Sequence, residues 1–184
     1  MEAEGTLKPI KLAFIGTHGV GKTTLCYDLV AALKRRGVNA DMVKEVARLS
    51  PLPINQKTSL DAQTWILMSQ VAEEIRSASQ HEVVVCDRSV LDNYAYLVRA
   101  CGRQPVIEQF VAYWMASYDL LFKVPVTGLA MPDGVRDVDA AFVRDIDGLV
   151  DELLAQHGLT CDRLDATDRD GWVKRVCEAV AGRR

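Results

Sequence analysis

Apolar residues along this chain alternate between two rhythms. Ile10-Lys11-Leu12-Ala13-Phe14-Ile15 and Val83-Val84-Val85-Cys86-Asp87 are short, nearly continuous apolar runs, the second rich in β-branched residues, as strands buried on both faces require. After the first run, Leu25, Leu29, Val30 and Leu33 recur at helical spacing, and Gly37 behind Lys34-Arg35-Arg36 supplies a stop with cations at the helix's negative end. A short strand is expected from Ala40 to Lys44. Pro51 and Pro53 make residues 50–57 a loop. Thr58 and Asp61 resemble a capping box ahead of a long helix to about Ser79, whose buried stripe is expected to be Leu60, Trp65, Met68, Val71, Ala72 and Ile75.

Ser89 to Ala100 and Val106 to Tyr118 read as helices, the latter with Ile107, Phe110, Val111, Trp114 and Met115 on one side. Leu120 to Val124 is a fourth strand. Residues 125–139, with Pro125, Gly128, Pro132 and Gly134, read as an active-site loop. Val138, Phe142, Ile146, Leu149, Val150, Leu153 and Leu154 mark a helix closed by Gly158. A last strand near Thr160 to Leu164 and a helix through Trp172, Val173, Val176 and Val180 finish the chain. Strands alternating with helices predict an α/β fold: a parallel five-stranded sheet, covered by helices on both faces and joined by right-handed crossovers. In such a sheet ligands bind beyond the strands' carboxyl ends, so residues 16–24, Glu45, Asp87 and the loop after Val124 should converge.

Composition narrows the classes. At 184 residues and 49% hydrophobic content the chain suits one domain, 10–184, behind a loose leader, 1–9. A net charge of −3 with mixed signs gives no footprint for duplex nucleic acid. A small anionic substrate held by a few arginines fits better. A homodimer is compatible with this reading. Five scattered cysteines, Cys26, Cys86, Cys101, Cys161 and Cys177, form no metal spacing and read as reduced thiols. The acidic start lacks an apolar targeting segment and no run approaches membrane-span length, so a cytoplasmic protein is expected.

The first strand runs directly into Gly16-Thr17-His18-Gly19-Val20-Gly21-Lys22-Thr23-Thr24, which fills every fixed position of G-x-x-x-x-G-K-[ST]. A phosphate chain brings several negative charges, and backbone N–H groups are the most compact donors that can meet them. Glycines let the loop aim those donors inward. The helix beginning near Lys22 adds its unpaired donors and the positive end of its dipole. Lys22 is expected on the outer phosphates and Thr23 on Mg²⁺. His18 occupies a variable position and reads as an ordinary loop side chain. The aromatics Trp65, Tyr94, Tyr96, Trp114 and Trp172 read mostly as core, with Tyr94 or Tyr96 able to border an acceptor ring.

Asp87-Arg88-Ser89 ends the central strand. Asp87 there can take a water ligand of the Mg²⁺ at Thr23, or accept a proton from an attacking hydroxyl, or simply cap the next helix. Arg88 offers a planar fork to a phosphate or a polar substrate edge, unless it is spent in a surface ion pair.

GTHGVGKTTL together with CDRSVLDNYAYL resembles the P-loop nucleoside and nucleotide kinases within the three-layer P-loop NTPase fold. The resemblance is greatest to the small kinase-type ATP-binding (AAA) domains of the nicotinamide riboside kinase group. It implies ATP-dependent phosphoryl transfer to a small nucleoside-like acceptor, with the acid at Asp87 near the reacting hydroxyl or Mg²⁺ and Arg88 near the substrate. Deoxynucleoside kinases usually carry Glu at that position, which leaves open whether Asp87 is base or metal partner. Glu45 and Arg48 fall where such kinases hold the acceptor, and otherwise read as a one-turn ion pair. Gln63 and Gln70 lie where deoxynucleoside kinases read a base edge, though surface or capping roles are preferred for both. Arg136, with Arg144 further on, fits the lid of about 125–144, where a closing arginine stabilises the charge of the moving group. No N-K-x-D-type guanine signature is present, so ATP is the expected donor. The alternatives are an ATPase or switch acting through a partner protein, and a polynucleotide 5′-kinase.

Overall fold

The computed structural model describes residues 8–54, 58–126 and 140–184. Five parallel strands, β1 (Ile10–Ile15), β2 (Ala40–Val43), β3 (Val83–Asp87), β4 (Leu120–Lys123) and β5 (Asp162–Arg163), lie in the order β2-β3-β1-β4-β5. Register runs from Ile10 beside Val83 to Phe14 beside Asp87, and from Leu12 beside Leu120 to Ile15 beside Lys123. The expected five-stranded α/β architecture is therefore present, with β1 and β3 buried along their whole length.

Among the described residues six α-helices cover the sheet: α1 (Lys22–Arg35), α2 (Leu60–Ala78), α3 (Val90–Cys101), α4 (Pro105–Met115), α5 (Ala140–Gln156) and α6 (Trp172–Ala181). Because strand side chains alternate, Leu12, Phe14, Val83, Val85 and Phe122 pack against α1 and α6, while Ala13, Ile15, Val84, Cys86 and Leu121 pack against the helices of the other face. None of the described helices is long and apolar enough to cross a membrane. All five cysteines are free thiols.

The α2 stripe differs from expectation. Leu60, Met68, Ala72 and Ile75 face solvent, whereas Ala62, Gln63, Ile66, Leu67, Gln70, Val71, Glu74 and Ser77 face inward. Periodicity misphases here because the inward face carries Gln63, Gln70 and Glu74, whose polar groups, Gln70 Oε1 excepted, find partners there. The cap is also one residue later: Ser59 Oγ accepts the Ala62 N–H at 3.2 Å, and Thr58 Oγ1 instead accepts from Gln63 Nε2 at 2.8 Å. Trp65 is only half-buried and belongs to neither core. Most of the expected lid, Arg136 included, and residues 1–7 of the leader lie outside the described residues.

Candidate active site

The turn between β1 and α1 has the backbone that its glycines predict. Gly16 sits at φ 126° and a Cβ there would meet the Val124 carbonyl oxygen at 3.1 Å, so the end of β4 closes directly onto the loop. Gly21, at φ 93°, is the residue before α1 and offers no capping side chain, so the first-turn donors of that helix are left for an anion. Lys22 is buried and its Nζ donates to the carbonyls of Gly16, at 2.8 Å, and Thr17. Burial, then the Arg88 charge, lowers its pKa to about 8 against the opposing pull of Asp92, Asp87 and Glu45.

Thr23 Oγ1 donates to Asp87 Oδ2 at 2.6 Å, joining the loop to the end of β3 across 64 residues of sequence. This hydroxyl and carboxylate, side by side, fit a hard cation such as Mg²⁺, which takes few protein ligands and completes its shell with phosphate and water. Among the described residues no three His, Cys, Asp or Glu side chains form a metal cage. Asp87 does not cap α3. Ser89 does, accepting the N–H groups of Leu91 and Asp92 at 3.1 and 3.3 Å.

Arg88 is the non-glycine residue with positive φ, 95°, among the described residues. Such a backbone costs about 1–3 kcal/mol and persists where surroundings enforce it. Here the Phe14 carbonyl accepts the Arg88 N–H at 3.2 Å and Gln70 Nε2 donates to the Arg88 carbonyl at 3.3 Å. The side chain is buried, with Nε donating to Glu45 Oε1 at 2.9 Å and the guanidinium 4.9 Å from the Tyr96 ring centroid. Burial opposes its charge, yet Tyr96, Glu45, Asp92 and Asp87 outweigh that and hold the guanidinium above its ordinary range. Glu45 Oε2 accepts from Arg48 Nε at 3.1 Å, so the acid is shared between two arginines, one buried and one exposed.

The buried polar atoms with no hydrogen-bond partner among the described residues include two donors at this rim, Thr17 Oγ1 and Arg88 Nη1. Leaving a buried donor unmet costs about 1–3 kcal/mol. Both therefore favour a polar ligand between the loop and the Asp87-Arg88 turn.

The expected convergence of the loop, Glu45, Asp87 and the β4 end thus occurs, and several side-chain roles need revision. His18 is not a bland loop residue: it is buried, shares a 3.0 Å hydrogen bond through Nδ1 with the Tyr96 hydroxyl, and lies 5.7 Å from the Phe142 ring of α5. Gln63 and Gln70 are buried, not at the surface; Gln63 binds Thr58, and Gln70 bonds Glu74 Oε1 at 2.9 Å as well as Arg88. Tyr94 is core, its hydroxyl donating to Glu108, whereas Tyr96 borders the site. Arg144 is on the exposed surface of α5, and Val20 packs into the α1 core. Thr24 is exposed at the start of α1 and Gly19 is half-buried in the loop.

Two residues escape sequence reasoning. Arg169, in the loop after β5, stands so close to the phosphate loop that a Cβ on Gly21 would meet its Nη2 at 2.5 Å; nothing local in the sequence marks it. Asp92, on α3, accepts the Gly16 N–H at 2.7 Å. Its signal was the Ser89-x-x-Asp92 spacing of a capping box directly after Asp87-Arg88.

A comparison with curated proteins finds no match. Among solved structures, the chain is similar to NadR protein in complex with NR, with a TM-score of 0.67 and 20% identity over 86% of this chain and 46% of that one. The chain thus spans about half the length of NadR. It is also similar to deoxyadenosine kinase from M.mycoides with bound dATP, with a TM-score of 0.64 and 18% identity over 94% of this chain and 99% of that one. These likenesses establish the fold of the P-loop nucleoside kinases. A family model described as AAA domain matches residues 11–170, nearly the whole chain, and the protein belongs to that AAA domain family of P-loop NTPases.

Proposed function

We propose that the protein is an ATP-dependent kinase that transfers the γ-phosphoryl group to a hydroxyl or phosphate of a small nucleoside- or nucleotide-like acceptor. The observation that carries this reading is the meeting of two ion-binding groups at one sheet edge. Lys22 and the Thr23–Asp87 pair stand at the phosphate loop, and the Arg88–Glu45 pair stands next to them at the ends of β3 and β2. A nucleotide switch needs the first group and has no use for the second.

The loop donors and Lys22 would bind the triphosphate, and Thr23 and Asp87 would hold Mg²⁺, which supplies charge neutralisation on the phosphate oxygens. Arg88, fixed by Glu45 and the Tyr96 ring, presents Nη1 to the acceptor. Glu45 or Asp87 takes the proton of the attacking hydroxyl, each being a carboxylate at the rim of the sheet. Arg136 and Arg144 are proposed for the lid. Catalysis on this plan is positioning and electrostatics in a water-poor cleft.

A screen of nucleosides and mononucleotides for acceptor-dependent ADP formation tests it. One class should raise ADP output well above the acceptor-free rate, and Lys22→Ala should lower transfer by about 10³-fold or more, some 4 kcal/mol, with the fold intact. Near wild-type transfer by Lys22→Ala, or no stimulation by any acceptor, contradicts the proposal.

A further inference from the structure

The first glycine of the phosphate loop is fastened from outside the loop. Its N–H donates to Asp92 Oδ1 at 2.7 Å, from a carboxylate 76 residues further along the chain. The other oxygen, Oδ2, accepts both the N–H and the Oγ–H of Ser89 at 2.8 Å. Asp92 is wholly buried. An ionised carboxylate is tolerated inside a protein only where donors and cations surround it, and here three donors meet its two oxygens. Its charge also helps Lys22 and Arg88 to stay protonated.

An ordinary capping box accounts for Oδ2, which returns to the N-cap residue, and leaves the other oxygen in water. Oδ1 is used differently. It fixes the peptide entering Gly16, whose own carbonyl is the next in line and accepts from Lys22 Nζ. Ser89, on the far side of Asp92, directly follows Asp87 and Arg88, so one buried carboxylate bridges the loop and the turn.

We infer that Asp92 is a positioning residue that ties the phosphate loop at Gly16 to the Asp87-Arg88-Ser89 turn, so that the nucleotide and acceptor halves of the site keep one fixed separation. It touches neither substrate. Its effect on transfer rests on the kinase reading proposed above, but its effect on nucleotide binding does not.

Asp92→Asn keeps an acceptor for one side and turns an amide donor toward the N–H on the other, while removing the charge. Titration calorimetry with ATP and magnesium should give a Kd raised tenfold or more per folded molecule. Ser89→Ala removes the cap and one of the two bonds to Oδ2 but leaves the Ser89 N–H and Gly16 N–H bonds that make the tie, so it should lower the urea midpoint and leave that Kd within threefold. A purely structural Asp92 would move the midpoint and not the Kd. Wild-type affinity in Asp92→Asn, or an equal loss in Ser89→Ala, overturns the inference. Hydrogen exchange on the unaltered protein decides the matter even where Asp92→Asn fails to fold: the Gly16 and Ser89 amides should open together, with equal protection, and a Gly16 amide exchanging a hundredfold faster overturns the tie. Retention of ATP by Lys22→Ala would remove the phosphate-loop reading and leave the exchange result standing.

Discussion

The two faces of the sheet solve different problems. Toward α1 and α6 the core is apolar from Leu12 and Leu29 to Val176, and its polar groups appear only at the carboxyl rim, where Thr23 meets Asp87. Toward α2 to α5 the interior holds a polar relay. Glu74 accepts from Lys11 Nζ and Trp114 Nε1, both at 2.7 Å, from the Tyr118 hydroxyl and from Gln70 Nε2, which also reaches the Arg88 carbonyl. Lys11 Nζ lies 4.5 Å from the Trp114 ring centroid and 4.4 Å from that of Tyr118. Asp92 and Lys123 are buried on the same face, Lys123 pairing with Asp147 and Asp151 at 3.1 and 2.6 Å. The apolar face supplies stability. The polar face supplies stability and also holds the strained Arg88 backbone, so damage there should reach the site.

The largest effect is expected from Glu74→Ala, which strands Lys11, Trp114, Tyr118 and Gln70 at once and should cost about 3–5 kcal/mol in urea unfolding. It should also lower kcat/KM in the molecules that remain folded, because Gln70 loses the partner that orients it toward Arg88. Leu29→Ala, on the opposite face and fully buried, should cost about 2–4 kcal/mol through lost burial and a cavity, with the ATP Kd of the folded protein unchanged. A fall in the kcat/KM of folded Leu29→Ala as large as that of Glu74→Ala would erase the distinction between the faces.

The smallest effect concerns pH. Lys22 has its pKa lowered from 10.5 to about 8 by burial, so in the nucleotide-free protein it is charged below about pH 8 and neutral above. Phosphates favour the charged form. ATP affinity measured with a metal chelator present should therefore be flat below about pH 8 and fall by at most about tenfold per unit above it, about 1.4 kcal/mol. The unfolded chain binds the extra proton between pH 8 and 10.5, so the same group makes the nucleotide-free protein more stable as pH rises through that window. Lys22→Ala should lack both trends.

The same division explains what the sequence disclosed. The phosphate loop was readable because its chemistry is local: a strand, three glycines, a lysine and a threonine within fifteen residues of one another, about what a backbone turn can encode by itself. The apolar face was readable because Leu25, Leu29 and Leu33 obey helical spacing with no polar interruption. The phase of α2 is hidden because Gln63, Gln70 and Glu74 point inward, where the two that lie deepest, Gln70 and Glu74, meet partners on β1, on α4, at Tyr118 and at the Arg88 turn. The Glu45–Arg88 pair spans 43 residues and the Asp92–Gly16 bond 76. Neither separation leaves a trace in periodicity, although strand order predicted the edge at which Glu45 would arrive. The role of His18 is hidden for a similar reason, since its partner Tyr96 lies on α3, 78 residues further along the chain.

The most direct test of the account is product stoichiometry. In one reaction containing the protein, ATP, magnesium and the best acceptor of the screen, ADP and phosphorylated acceptor are quantified together. One acceptor phosphorylated for each ADP released is the predicted result. ADP accompanied by inorganic phosphate, with the acceptor unchanged, would contradict it.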